Sequence, residues 1–155
     1  MDKLNNLGVF VSFGFYLSIL AIMFLYLSLN VVATRRSLKI TLGDGGNQMV
    51  LRAMRAQANF AEYVPFAVIL ILAVSQLTML LGLKGNTMSG ITHTLFFLLI
   101  IARLSHMYGM LHQETQVRLS FSARMIGTLL TYGVIGISAL VLMLNWIYAL
   151  AANIG

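Results

Sequence analysis

The sequence predicts an all-α fold, a bundle of four transmembrane helices, on three observations. Only 9% of the 155 residues are charged and 59% are hydrophobic, whereas an ordinary soluble domain carries about 25% charged residues. The mean hydropathy is +0.89, so lipid rather than water is the natural solvent for the surface. The few acidic and basic side chains leave four uncharged stretches, 4–34, 63–83, 85–102 and 125–155. With its flanks each reaches the roughly 20 residues that a helix needs to cross the hydrocarbon layer. Helices are required because an open sheet edge in lipid would leave backbone N–H and C=O groups without partners.

The expected spans are about 5–34, 50–82, 88–111 and 122–151, forming a single domain over 1–155. The first follows Lys3 and could be mistaken for a secretory leader. It is too long for one and no convincing small-residue cleavage site follows, so it reads as a retained span. The segment 34–49 carries Gly43, Asp44, Gly45, Gly46 and Asn47, a turn-rich loop. Helical patterning of the second span begins near Val50, and its Pro65, the single proline, is expected to bend or interrupt it. A tight connection at 82–87 leads to the third span, and 112–122 joins it to the fourth. In the fourth, Gly133, Gly136 and Ala139 are small enough for close helix contacts.

Basic residues are lopsided. Arg35, Arg36, Lys39, Arg52, Arg55, Arg118 and Arg124 fall at one end of the bundle, with only Lys3 and Lys84 at the other. The bias of Lys and Arg towards cytoplasmic loops places that end in the cytoplasm and both termini outside. Nucleic acid is not an expected partner, because the arginines border or interrupt apolar helices instead of covering a solvated face. There is no cysteine, so any thiol chemistry must come from a bound molecule. No metal is expected: His106 and His112 lack the i, i+4 spacing of a helical metal pair, and no carboxylate cluster supports them.

At about 100° per residue, Arg52, Arg55, Asn59, Glu62 and Tyr63 share one stripe of the second helix. Ionisable groups at such positions are costly in a membrane and either pair or bind something. Two readings stand side by side: Arg52 or Arg55 pairs with Glu62 to hold helices together, or the stripe faces a ligand. The excess of guanidinium over carboxylate weighs towards the ligand. Arg103 and His106 lie one turn apart on the third helix, with Tyr108 on another face. Arg118 and Arg124 open the fourth, with Thr128 and Thr131 on the stripe of Arg124. For Arg118 and Arg124 interfacial anchoring is the plainer alternative. Together these groups suit a small dianionic ligand with an amine, and glutathione fits. Guanidinium forks bind its carboxylates and Glu62 accepts from its α-amine. A further arginine near the sulfur would favour the thiolate, which is the nucleophile.

The run Arg55-Ala56-Gln57-Ala58-Asn59-Phe60-Ala61-Glu62-Tyr63-Val64-Pro65 resembles the second-helix signature of the membrane-associated proteins in eicosanoid and glutathione metabolism, the MAPEG superfamily. It is most similar to the form seen in leukotriene C synthase. Ala33-Thr34-Arg35-Arg36 resembles the basic end of that family's first helix. Ala102-Arg103-Leu104-Ser105-His106 resembles its third, with histidine where the prostaglandin E synthase branch also has it. His106-Met107-Tyr108-Gly109 and Arg124-Met125-Ile126-Gly127 are similar to short bacterial members.

The resemblance implies a homotrimer of four-helix subunits in a bacterial inner membrane, with glutathione bound in a U-like shape between neighbours near the cytoplasmic end. It implies that Arg35, Arg55, Gln57, Asn59, Glu62, Tyr63, Arg103 and His106 hold glutathione, with Arg52 on the same stripe. An arginine entering helix four, Arg124 or alternatively Arg118, would stabilise the thiolate. Where eicosanoid synthases carry a tyrosine one turn after the His106 position, this chain has Met110. The expected function is a glutathione transferase, with peroxidase or isomerase activity within the family's range, acting on a lipophilic electrophile or lipid hydroperoxide. The alternative is a non-catalytic lipid-binding or scaffold protein of the same fold. A transporter or channel would need polar residues through the bilayer midplane, and here they cluster at one end.

Overall fold

A computed structural model describes residues 2–80, 86–112 and 117–154. They form four helices, α1 (Asp2–Ser37), α2 (Gln48–Leu80), α3 (Asn86–Leu111) and α4 (Val117–Ile154). All four contain a segment long and apolar enough to cross a membrane: Phe13–Ser37, Gln48–Gln76, Gly90–Leu111 and Phe121–Ala151. The chain is therefore a four-helix membrane bundle. Helix α4 begins at Val117, ahead of the expected 122. The polar turn containing Arg118, Ser120 and Ser122 forms helix without adding to the apolar stretch that marks the span. The tight connection expected at 82–87 falls largely outside the described residues.

Local signals set the helix ends. After α1, Ile40 N–H donates to Arg35 O at 3.0 Å and Lys39 N–H to Arg36 O at 3.2 Å. This is the paired 6→1 and 5→2 closure of a Schellman ending, with Lys39 at φ 55° in the left-handed position that glycine usually takes. The loop then turns through Gly43, Gly45 and Gly46, all at positive φ, with Asp44 Oδ1 accepting from Gly46 N–H at 3.0 Å. Asn47 caps α2, its Oδ1 accepting from Met49 N–H at 2.9 Å. Helix α2 runs unbroken through Pro65. Proline has no N–H to offer the carbonyl of Ala61, and both residues are exposed.

Helix α3 is central: 44% of its most apolar window lies inside the bundle, against 11% for α4. The core joins Leu27 of α1, Phe60, Ala67 and Ile71 of α2, Phe96 and Leu99 of α3, and Val134 of α4. In the half of the bundle away from the arginines, Tyr16 stacks on Phe96 with centroids 5.2 Å apart, and its hydroxyl lies 3.1 Å from His93 Nδ1. The most extensive pairing is α3 with α4, and Gly127 makes it close. A Cβ there would stand 2.5 Å from Ala102 O and 2.6 Å from His106 N. Gly133 and Gly136, the glycines whose spacing suggested close contact, have nothing within 4 Å of such a Cβ. They turn away from the bundle, while Gly127, Thr131, Val134 and Ser138 form the buried stripe of α4. Ser105 Oγ adds a tie between the two helices, donating to Ala123 O at 2.8 Å.

Candidate functional site

The α3–α4 contact fixes α3 along the stretch that carries the chemistry. Arg103, one residue after Ala102, is only 2% exposed. Its Nη2 donates to Asn59 Oδ1 of α2 at 3.2 Å, while Nε and Nη1 are buried without a hydrogen-bond partner. His106, one turn on, is 6% exposed. The guanidinium groups of Arg103 and Arg124 both stand within electrostatic reach of it.

A cavity of about 220 Å³ opens between α2 and α3, lined by Arg55, Ala58, Asn59, Glu62, His106 and Met110. Four of the expected ligand residues therefore converge on one opening. Glu62, the only acidic residue within the four spans, stands exposed at its rim. On the other side of Arg55 and Ala58, a second opening of about 540 Å³ lies between α1 and α2. Arg35, Gln57, Ser28 and Met54 are among its lining residues. Here Arg35 Nη2 contacts Met54 Sδ at 3.4 Å, and Arg35 Nε is buried with no partner. Arg52, on the sequence stripe of Arg55, instead lines a third cleft with Asn30 and His112.

Tyr63 is tied to α4: its hydroxyl lies 3.2 Å from that of Tyr132, and the ring centroids are 5.6 Å apart. No sequence pattern marks Tyr132 beyond the stripe of Arg124 and Thr128. It lies one helical turn beyond Thr128. Arg124 is half-buried, with its guanidinium 5.4 Å from the centre of the Phe121 ring. Arg118 lies in the first turn of α4 and is exposed. Among the described residues no group of three His, Cys, Asp or Glu is placed to hold a metal.

The cavity is framed by arginine, asparagine, histidine and carboxylate, and behind it lies a buried guanidinium with two donor atoms that have no hydrogen-bond partner, joined to the cavity wall through Asn59. In a low-dielectric site such donors form strong hydrogen bonds to a carboxylate and are costly left alone.

Four spans with their charged side chains gathered at one end define a multi-pass membrane protein with a polar site in an otherwise apolar bundle. The MAPEG family profile matches residues 13–144, from the first span to the last, and the chain belongs to this family. It is similar to the inner membrane protein YecN of Escherichia coli (strain K12), 28% identical over 98 residues that cover 63% of this chain and 69% of YecN. YecN of Escherichia coli O6:H1 (strain CFT073) matches with the same identity and coverage.

Proposed function

We propose that this protein is a membrane-bound glutathione transferase that activates glutathione as a thiolate for attack on lipophilic electrophiles. The observation that carries this reading is the cavity of Arg55, Asn59, Glu62 and His106, with the buried guanidinium of Arg103 behind it, bonded to the cavity residue Asn59. Two guanidinium groups match the two carboxylates of glutathione, and Glu62 matches its α-ammonium. Family membership supports the same chemistry.

In this reading the site lies between neighbouring subunits of a homotrimer. Arg35 and Gln57 line a different opening from Asn59, Glu62 and His106, so one copy does not close all of them around a single ligand. The Arg124 guanidinium stabilises the thiolate. A free thiol of pKa about 8.5 is mostly protonated at neutral pH, so a nearby cation supplies much of the activation. The thiol proton leaves to solvent, the sulfur forms a bond to an electrophilic carbon arriving from the lipid, and the leaving group departs with the electron pair. With a lipid hydroperoxide the same thiolate would instead attack the terminal peroxide oxygen: the O–O bond breaks, the alkoxide takes a proton and leaves as the alcohol, and the glutathione sulfenic acid so formed condenses with a second glutathione to the disulfide and water. In this reading the site faces the cytoplasm, a placement that the basic bias of that end supports.

The test is an ultraviolet difference spectrum of the detergent-purified protein titrated with glutathione. A saturable thiolate band at neutral pH is expected, retained in Arg118→Ala and lost in Arg124→Ala. A folded wild-type protein with no band would instead favour the non-catalytic lipid-binding reading. Glu62→Gln removes the negative charge that makes the hydrogen bond to the ammonium charge-assisted. A charge-assisted hydrogen bond contributes about 1.5–3 kcal/mol, so glutathione affinity by calorimetry should fall about 10- to 100-fold. Unaltered affinity would remove Glu62 from the site.

A further inference from the structure

The tyrosine pair that joins α2 to α4 lies outside the cavity lining, and it keeps a proton to spare. The Tyr63 and Tyr132 hydroxyls stand 3.2 Å apart, so one donates to the other. Two hydroxyls carry two protons, and that bond uses one. Among the described residues neither hydroxyl has a further hydrogen-bond partner. Tyr132 is 49% exposed, whereas Tyr63 is half-buried, so Tyr132 is the outer member. Arg103, bonded to Asn59 of the cavity, also stands within electrostatic reach of both hydroxyls. A cation on the inner side draws the oxygen lone pairs towards itself and leaves the spare proton facing outward. Donation from Tyr63 to Tyr132 then strengthens the outer hydroxyl as a donor.

That proton lies in the hydrocarbon layer. Tyr132 stands about 16 Å along α4 from Phe121, where the apolar segment of that helix begins. Leu129, one turn before Tyr132, and Phe66, one turn beyond Tyr63, are exposed apolar neighbours. Gly136, one turn beyond Tyr132, has nothing within 4 Å of a Cβ, so the helix surface is flat there and an alkyl chain can lie along it. Water is scarce at such a depth, and polar groups placed there are kept for a partner. The partner must be apolar enough to arrive through lipid and must bring an oxygen acceptor.

We propose that Tyr132 holds the carbonyl oxygen of a lipophilic α,β-unsaturated aldehyde or ketone, an inference that rests on the glutathione reading and names its electrophile. The glutathione sulfur bonds to the β-carbon. The C=C electron pair moves to join the α-carbon to the carbonyl carbon, and the carbonyl π pair moves onto oxygen. The enolate oxygen accepts from the Tyr132 hydroxyl. The α-carbon then takes a proton from solvent, matching the one the thiol released, and no group leaves. An enolate accepts a stronger bond than a neutral carbonyl, so the hydroxyl acts mainly on the transition state.

Measuring kcat/KM for trans-2-nonenal and for 1-iodononane, which carries no oxygen, with glutathione and the detergent-purified full chain tests it. Both electrophiles meet the same thiolate, so the ratio of the two values cancels effects on glutathione itself. Tyr132→Phe should lower that ratio about 10- to 100-fold, somewhat less than losing an oxyanion donor costs in an enclosed site. Tyr63→Phe removes only the support and should lower it several-fold, and the double variant should fall no further than Tyr132→Phe. Tyr148→Phe, an exposed tyrosine of α4 outside the pair, should leave the ratio unchanged. Each variant keeps its ring, and Tyr63→Phe gives an independent reading if Tyr132→Phe fails to fold. The thiolate band of the same preparation separates the two ways of failing. No band in the folded wild type removes the attacking thiolate, and this proposal with it. A band without nonenal turnover, or with a ratio that Tyr132→Phe leaves unchanged or Tyr148→Phe lowers equally, overturns the tyrosine assignment alone.

Discussion

Gly127→Ala should destabilise the protein by about 1–3 kcal/mol, the usual cost of forcing an extra methyl into a packed interior. The reason is the identity of the atoms it meets. The new Cβ would lie 2.5 Å from Ala102 O, 2.6 Å from His106 N and 2.8 Å from His106 Cβ. None is the free end of a side chain that could swing aside, so the axes of α3 and α4 must move apart. That displacement passes directly to Arg103 and His106, which follow Ala102 on α3. Glutathione binding should therefore weaken along with stability, even though Gly127 has no side chain to touch a ligand. Gly133→Ala adds the same methyl where nothing lies within 4 Å in the subunit. Reversible unfolding in mixed detergent micelles, with calorimetry on the folded variant, measures both effects. Wild-type stability in Gly127→Ala would show that the helices are not in close contact there.

The bundle was legible because lipid imposes a coarse rule, a long run without acid or base, and the sequence keeps it four times. The candidate site was legible only as a shared helix face, which is as much of the cavity lining as one helix records. Asn59 and Glu62 share a stripe, and both line the cavity with Arg55 and His106. A helical wheel gives a face but not the neighbour that covers it. Arg52 belongs to the same stripe as Arg55 yet turns towards α1 and the end of α3, because α2 touches three helices and its polar face spans two of the gaps. Tyr132 was hidden for the same reason: its meaning lies in Tyr63, 69 positions away. Glycine spacing in α4 pointed to Gly133 and Gly136, whereas the crossing point of α3 selects Gly127. Where two helix axes approach is a property of the pair, and one strand of sequence does not carry it. Helix α4 starts ahead of the expected 122 because hydropathy marks the hydrocarbon layer, and the helix continues beyond it.

Arg103→Met separates the two readings of that arginine by the sign of its effect on stability. If Arg103 is a tie between α2 and α3, methionine loses the 3.2 Å bond to Asn59 and the protein should be weakened by about 1–3 kcal/mol, the cost of a buried acceptor left without its donor. If it is held for an anion, the unliganded protein carries a buried charge with Nε and Nη1 unmatched. The effective penalty for such a charge is several kcal/mol, and well-packed apolar replacements of buried charges are often stabilising. Methionine fills much of the same space and adapts to irregular gaps. The penalty of the unmatched charge exceeds the loss of one neutral acceptor, so the unliganded variant should be more stable than wild type by about 1–2 kcal/mol. Glutathione should bind it at least 100-fold more weakly, because two charge-assisted bonds of about 1.5–3 kcal/mol each disappear, and each 1.4 kcal/mol is a tenfold change. Thermal unfolding with and without glutathione reads both quantities in one experiment. The ligand should raise the midpoint of wild type and leave that of Arg103→Met where it was. A destabilised variant that still binds glutathione with wild-type affinity would make Arg103 a structural residue, and the anion site would lose its central donor.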